Sequence, residues 1–472
     1  MLNYGLKYAI IEVRNFNQYR DAGRVLIDKE PIMSEKLNIC LMNDSFPPLV
    51  DGVANTVVNY ADVINSKLGT AAVATPDYPG AEDNYPYEVV RYKSMSISEK
   101  ICGYRAGYPF SSSNLDKLSN RRFDIIHCHC PWASAVMARV LREKCGAPLI
   151  LTYHTKFDIE INAALPNELM AKQATKFIVS NIAACDEVWV VSNGAGENLR
   201  GLGFEGKYRV MENGVDFPRG RADENDAAEL RAAYGIDKDT PLFIFVGRML
   251  WYKGIKLILD ALKLLTEKGI AYKMMFVGDG AERQEIEDYA AKLGISDNCI
   301  FPGVIYDREE LRVYYTAGDL FLFPSEYDTN GIVVREAAAC GVGALLIDGS
   351  CAAEGITHGR TGILTQADPI AISKELEFAC AHRDEIHQIG ENAMNEVYIS
   401  WETAVKKAYD RYFAVIENVK AGQSQRQESF MQEEFFSMMD NITYNIQRLR
   451  SIPAGFDKYK RKWRRLRDNI RK

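Results

Sequence analysis

No apolar run in this chain of 472 residues approaches the ~18 residues needed to span a membrane. The first residues lack the pattern of a signal peptide, because acids and bases follow directly on Ile10–Ile11. Ten cysteines are present but they are scattered rather than spaced as a framework. Cys40, Cys185, Cys340 and Cys380 sit in apolar runs and read as reduced, buried thiols. These absences together point to a protein made and kept in the cytoplasm. No Gly-x-Gly-x-x-Gly follows a predicted strand, which counts against a dinucleotide-dependent dehydrogenase. No Asp-x-Asp stands at a strand end, so no obligatory metal is expected. No repeat recurs at solenoid periods. The formal net charge is -7, which excludes nucleic acid as a partner by charge.

What is present suits a globular protein with substantial cores: 47% hydrophobic and 26% charged residues. The length suggests two large domains. The charge is unevenly spread. Lys458–Lys472 holds nine basic residues against the single acid Asp468, a local +8 that leaves -15 for the rest of the chain.

Residues 1–35 form an N-terminal extension of unknown role. A start at Met33 and a genuine additional helix both remain open. From residue 36 to 215, apolar strands alternate with amphipathic stretches. Strands are expected at Asn38–Met42, Ala71–Ala74, Ile125–Cys128, Leu149–Thr152 and Glu187–Val191, and helices at Val53–Lys67 and Ala133–Lys144. Strands apolar throughout and separated by helices predict a parallel sheet covered on both faces. The rhythm breaks at Met211–Pro218, where a linker is expected. It restarts over 216–398 with strands at Leu242–Val246, Lys273–Val277, Ile300–Phe301, Leu320–Phe323 and Ala344–Ile347. Helices are expected there over Ile255–Lys268 and Glu282–Leu293, with another starting near Ile332. The fold class is therefore α/β, with two Rossmann-like parallel-sheet domains facing a central cleft at their strands' carboxyl ends. A returning helix over 399–420 and a helical basic tail over 421–472 complete the chain.

Two segments carry charge where such a fold binds ligands. In Phe323-Pro-Ser-Glu-Tyr-Asp-Thr-Asn-Gly-Ile-Val-Val-Arg-Glu336, a strand end leads through a polar loop into a helix start. Such a junction offers backbone N–H groups and a positive dipole end to an anion. Thr329, Asn330 and Gly331 let the backbone approach a phosphate, and a carboxylate farther on, Glu336, can accept two bonds from a ribose diol. A capped helix with a solvated acid is the competing reading. In Phe245-Val-Gly-Arg-Met-Leu-Trp-Tyr-Lys-Gly254, Arg248 and Lys253 follow a strand end. A guanidinium fork and an ammonium suit a pyrophosphate; a basic surface loop is the alternative.

Together these segments resemble the retaining glycosyltransferases of family 4. The match runs through Gly247-Arg248, Lys253-Gly254, Pro324-Ser325, Gly331 and Glu336-Ala337. Asn213-Gly214-Val215-Asp216, Val277-Gly278-Asp279-Gly280 and Pro302-Gly303 support it. The resemblance covers about residues 36–418 and implies the GT-B fold. It implies that Arg248 and Lys253 hold the donor diphosphate, with amides near Asn330, Gly331 and Ile332 adding to the grip. Glu336 would bind the donor ribose. The first acid of the family's pair, which contacts hydroxyls of the donor sugar, is normally Glu and here is Asp328, one methylene shorter. Tyr306 and its neighbours would border the base.

In the first domain the family has a glycine loop near the donor phosphates. Gly52 fits it, although the usual glycine pair is reduced to Asp51-Gly52. The run Ile126-His-Cys-His-Cys-Pro131 invites a zinc reading. On a strand, however, His127 and His129 point one way and Cys128 and Cys130 the other, so the four cannot close a tetrahedral site. The resemblance instead places His129 near the transferred sugar and His154, in Thr152-Tyr-His-Thr-Lys156, on the acceptor side. It also implies retention, with a nucleotide-sugar co-substrate (a UDP-sugar favoured) and no cofactor.

The tail's Tyr459, Trp463, Leu466 and Ile470 make one apolar stripe among basic residues. Such a helix suits an anionic membrane surface, on the inner face of the plasma membrane. That would favour a lipid or lipid-linked glycan as acceptor, and the Tyr327–Glu336 stretch resembles bacterial glycolipid synthases. A disordered tail or a partner-binding helix is the alternative. A nucleotide-sugar epimerase of the same fold and a non-catalytic membrane-associated scaffold are the rival functions.

Overall fold

The computed structural model describes residues 36–49, 51–96, 105–158, 161 and 167–427. The expectations for residues 1–35 and for the stripe at 458–472 lie outside the described residues. In the first lobe the chain runs β1 (Asn38–Met42), α1 (Gly52–Val63), β2 (Thr70–Pro76) and β3 (Val89–Tyr92). A two-stranded antiparallel ribbon, β4 (Ser94–Ser96) and β5 (Arg105–Gly107), comes next. Then follow α2 (Ser112–Ser119), β6 (Ile125–Cys128), α3 (Ala133–Cys145), β7 (Leu149–Tyr153), α4 (Glu168–Ala183), β8 (Glu187–Val190), α5 (Asn193–Gly201) and β9 (Tyr208–Val210). Seven of these strands form a parallel sheet in the order β3-β2-β1-β6-β7-β8-β9. The apolar run Asn38–Met42 becomes a central strand, paired at Ile39 with both Ala71 and Ile125.

The second lobe contains α6 (Glu224–Ala233), β10 (Leu242–Val246), α7 (Ile255–Glu267), β11 (Lys273–Val277), α8 (Arg283–Leu293), β12 (Cys299–Gly303) and α9 (Arg308–Ala317). It continues with β13 (Leu320–Phe323), α10 (Ile332–Ala339), β14 (Gly343–Ile347), β15 (Ile363–Thr365), α11 (Pro369–Ala381) and α12 (Arg383–Glu396). Its sheet is also parallel, in the order β12-β11-β10-β13-β14-β15. Every residue of β10 and β13 is buried, as continuous Leu/Phe/Ile/Val strands require.

The last described helix, α13 (Trp401–Lys420), returns to the first lobe. Its Trp401, Val405, Tyr409 and Tyr412 join the core that holds Leu41, Ile150 and Trp189. A fully buried side chain of this size contributes roughly 1.5–3 kcal/mol, so α13 belongs energetically to a lobe it follows by about 190 residues of chain. The two crossings between lobes run side by side: Val215 N donates to Ile399 O at 2.9 Å and Trp401 N to Val215 O at 3.3 Å. Gly214 permits this approach, since a Cβ there would lie 2.4 Å from Trp401 N.

The expected helix at Val53–Lys67 is α-helical only to Val63 and continues as a π-helical turn over Ile64–Leu68. Its start explains the missing glycine. Asp51 is the N-cap, and its Oδ1 accepts from Val53 N at 2.8 Å and Ala54 N at 2.7 Å. The cysteines among the described residues are free thiols, and Cys380 is only partly buried. No helix among them is long and apolar enough to cross a membrane.

Candidate active site

In each sheet the connections leave in opposite directions from one pair of neighbouring strands. In the first lobe that pair is β1 and β6; in the second it is β10 and β13. A crevice opens at the carboxyl ends of such a pair. Gly247-Arg248 follows β10, Pro324-Ser325 follows β13, and His129 follows β6. Arg248, marked by residue type and position, and Pro324-Ser325 and His129, marked by the family resemblance, therefore fall at the two switch points.

In the second lobe, Lys253 Nζ donates to Asp328 Oδ2 at 2.5 Å. The ammonium also lies 5.2 Å from the ring centre of Tyr252 and 5.7 Å from that of Phe323. Arg248 Nη2 donates to the Tyr252 hydroxyl at 2.9 Å. These contacts gather Arg248, Tyr252, Lys253 and Asp328 at one lip of the sheet. Gly331 opens α10 with φ +57°, a left-handed conformation, and a Cβ there would lie 2.9 Å from Ala352 Cβ. Only glycine fits without displacement. Helix α10 has neither a capping side chain nor an acid in its first turn; Val334 N donates to Gly331 O at 2.8 Å, which leaves the amides of Ile332 and Val333 as donors at the positive dipole end. The starts of α1 and α5 differ: Asp51 caps the first and Ser192 the second. Asn330 is buried, and its Nδ2 has no partner among the described residues.

Glu336 is buried one turn into α10. Arg308 Nη2 donates to its Oε1 at 2.6 Å, and the Tyr315 hydroxyl to its Oε2 at 3.0 Å. Burial, and then the nearby carboxylate, hold the Tyr315 phenol well above its ordinary value, so it stays a donor. Arg308 also meets Asp216 and lies 4.1 Å over the Phe217 ring. Sequence reasoning missed Arg308 and Tyr315. The signals for this cluster were Glu336 itself and Asp216, at the end of the Asn-Gly-Val-Asp segment. Tyr306 is exposed on the loop after β12.

In the first lobe, His127, His129 and His154 are all buried. His127 and His129 share a face with ring centres 4.1 Å apart, as strand alternation demands. His127 is held by the Tyr412 hydroxyl at Nδ1 and Thr152 Oγ1 at Nε2, both at 2.7 Å. His129 Nδ1 and His154 Nε2 are 3.0 Å apart, and His129 Nε2 has no partner among the described residues. Burial lowers the His154 value to about 3. Burial, and then the neighbouring histidines, depress that of His129 as well, so both rings are neutral at pH 7. No group of three or more His, Cys, Asp or Glu among the described residues is arranged to hold a metal ion.

The lobes meet directly over the cleft. A Cβ on Gly52 would face Ile332 Cδ1 at 3.9 Å. Ser192 Oγ donates to Thr329 O at 2.5 Å, and Thr329 Oγ1 to His154 O at 2.7 Å. Glu354 reaches from the second lobe to the start of α5. It accepts from Asn193 N at 2.7 Å and Gly194 N at 2.6 Å.

Comparison with known proteins agrees with this arrangement. The family model described as Glycosyltransferase Family 4 matches residues 50–219, and that described as Glycosyl transferases group 1 matches 226–396. An uncharacterized glycosyltransferase of Methanocaldococcus jannaschii is 26% identical over 81% of this chain and 99% of its own. The alpha-monoglucosyldiacylglycerol synthase of Streptococcus pneumoniae is 23% identical over 65% of this chain and 70% of its own. The crystal structure of Anabaena HepE in complex with UDP superposes with a TM-score of 0.64 at 18% identity, over 80% of this chain and all of that one. The chain belongs to glycosyltransferase family 4 and adopts the GT-B fold.

Proposed function

We propose that this protein transfers a hexose from a UDP-sugar, with retention of anomeric configuration, to a membrane lipid or lipid-linked glycan. The observation that carries the reading is the uncapped start of α10 beside Arg248 and Lys253. The donor's diphosphate lies against these groups, and its ribose diol bonds the free lone pairs of Glu336. As the C1–O bond breaks, negative charge grows on the leaving phosphate. Arg248, Lys253 and the amides at Asn330, Gly331 and Ile332 stabilise it without reorganising. This cationic cradle does the work of a metal, so the reaction proceeds without one. The acceptor oxygen attacks C1 from the face the leaving group vacates, and its proton passes to a β-phosphate oxygen. The products are a glycoside and a nucleoside diphosphate. His129 presents Nε2 to the transferred sugar, Asp328 takes a sugar hydroxyl, and His154 lines the acceptor side. Gly52 leaves room over the phosphates.

A lipid acceptor is supported by the glycolipid-synthase relative and by the basic stripe at 458–472. The tail also departs from the first lobe, where Gln427 N donates to Ala183 O at 2.7 Å. Anionic membrane would then hold the acceptor lobe at the inner face of the plasma membrane.

The test is a donor screen with the full chain. UDP-glucose, UDP-galactose, UDP-N-acetylglucosamine and GDP-mannose are supplied with and without anionic vesicles containing diacylglycerol, and released nucleoside diphosphate is followed. The expected result is release from a UDP-hexose that rises with acceptor vesicles and is abolished by Glu336→Ala. An isomerised sugar without transfer would mark an epimerase. Donor binding without turnover would mark a scaffold.

A further inference from the structure

The donor loop between β13 and α10 belongs to the second lobe, yet Thr329 bonds the first lobe twice. Its hydroxyl donates to the carbonyl of His154, just past β7, and its carbonyl accepts from the Ser192 hydroxyl, just past β8. On one side it is followed by the buried amide of Asn330; on the other it is preceded by Asp328, held by Lys253. On the first-lobe side, the His154 ring is bonded to Nδ1 of His129. A continuous path of contacts thus runs from the charged cluster of one lobe to the unpartnered Nε2 of His129 in the other.

We propose that Thr329 is a positioning residue for sugar transfer, setting the register between the Asp328 carboxylate and the His129–His154 pair. The proposal rests on the donor-site reading above. A carboxylate and an imidazole that address one sugar from opposite lobes must be fixed to a fraction of an ångström, and neither lobe alone can fix them. Two hydrogen bonds from one residue, to the ends of two adjacent strands, supply that constraint at the point where the loop crosses the cleft. Threonine suits the role chemically, because its hydroxyl donates while its backbone carbonyl accepts. Among the described residues its side-chain hydroxyl bonds only the His154 carbonyl and touches neither the cationic groups of the cradle nor the ribose-binding carboxylate, and the Thr329–Asn330 peptide, whose amide belongs to the cradle, is kept in every substitution. Its loss should therefore impair the chemical step and spare nucleotide binding.

The experiment compares Thr329→Val, which keeps the shape and removes the donor, with Thr329→Ser, which restores it. Turnover and KM for donor and acceptor, the Kd for UDP, and melting temperature are measured on the full chain. Thr329→Val should lower kcat about 10- to 100-fold while the UDP Kd stays within about twofold. Thr329→Ser should return kcat to within about threefold of the parent. A valine variant with unchanged kcat overturns the proposal. So does a UDP Kd that weakens in step with kcat, or a serine variant no better than valine. If the valine variant does not fold, Thr329→Ala gives the same reading. The donor-site reading fails separately, if Lys253→Ala leaves UDP binding and turnover intact.

Discussion

The two lobes share a topology and place opposite chemistry at equivalent points. At the first switch point, between β1 and β6, the strand ends carry buried neutral histidines packed edge-on against Tyr60. At the second, between β10 and β13, they carry Arg248, Lys253 and Asp328 beside an uncapped helix. Helix caps follow the same division, since Asp51 closes α1 while nothing closes α10. A parallel α/β sheet provides the crevice, and side chains and caps decide whether that crevice receives charge or excludes it.

The division breaks most visibly at Lys253. Lys253→Ala should lower turnover about 10²- to 10³-fold, whereas His129→Ala should lower turnover with the UDP Kd held within about twofold. Steady-state release and calorimetry on both variants check this, and equal loss of nucleotide affinity in both would erase the division. Arg308→Ala comes next. It strips a buried carboxylate of its charged partner, so UDP affinity should fall about tenfold and the melting temperature should fall with it, because Glu336 is left as an uncompensated buried charge.

Acid should expose the first lobe. In the unfolded chain an imidazole takes up a proton below its ordinary value near 6.5, whereas buried His154 stays neutral down to about 3. The unfolded state therefore binds more protons across that window. Stability is complete above about pH 6.5 and falls by roughly 1.4 kcal/mol per pH unit for each such histidine as pH drops. Urea unfolding at pH 7.0 and 5.5 measures the slope, and His154→Asn should remove its share. A flat profile would contradict the burial of these rings. The smallest effect belongs to Asp328→Glu, which restores one methylene. It should leave the UDP Kd unchanged and shift relative kcat/KM between epimeric donors by about threefold.

Much of this frame was legible in the sequence for a local reason. Continuous apolar runs predicted β1, β6, β10, β11 and β13 to the residue, because central strands are buried on both faces. The edge strands β3, β9 and β15 escaped, being three or four residues long and interrupted by residues such as Arg91 and Arg209. Strand ends and residue type likewise marked Arg248, Lys253 and Glu336, and the family resemblance marked Asp328. Their partners were hidden by chain distance. Arg308 lies 28 positions from Glu336, Thr329 lies 175 from His154, and Glu354 lies 160 from Gly194. Periodicity reports which face of an element is buried, not which distant polar atom will satisfy it.

Calorimetric titration of the full chain with UDP tests the central claim most directly, comparing the parent with His129→Ala and with Arg248→Ala/Lys253→Ala. The parent and His129→Ala should bind equally, and the double variant should lose at least about a hundredfold in affinity. Undiminished binding by the double variant would contradict the placement of the diphosphate at the β10–β13 switch point.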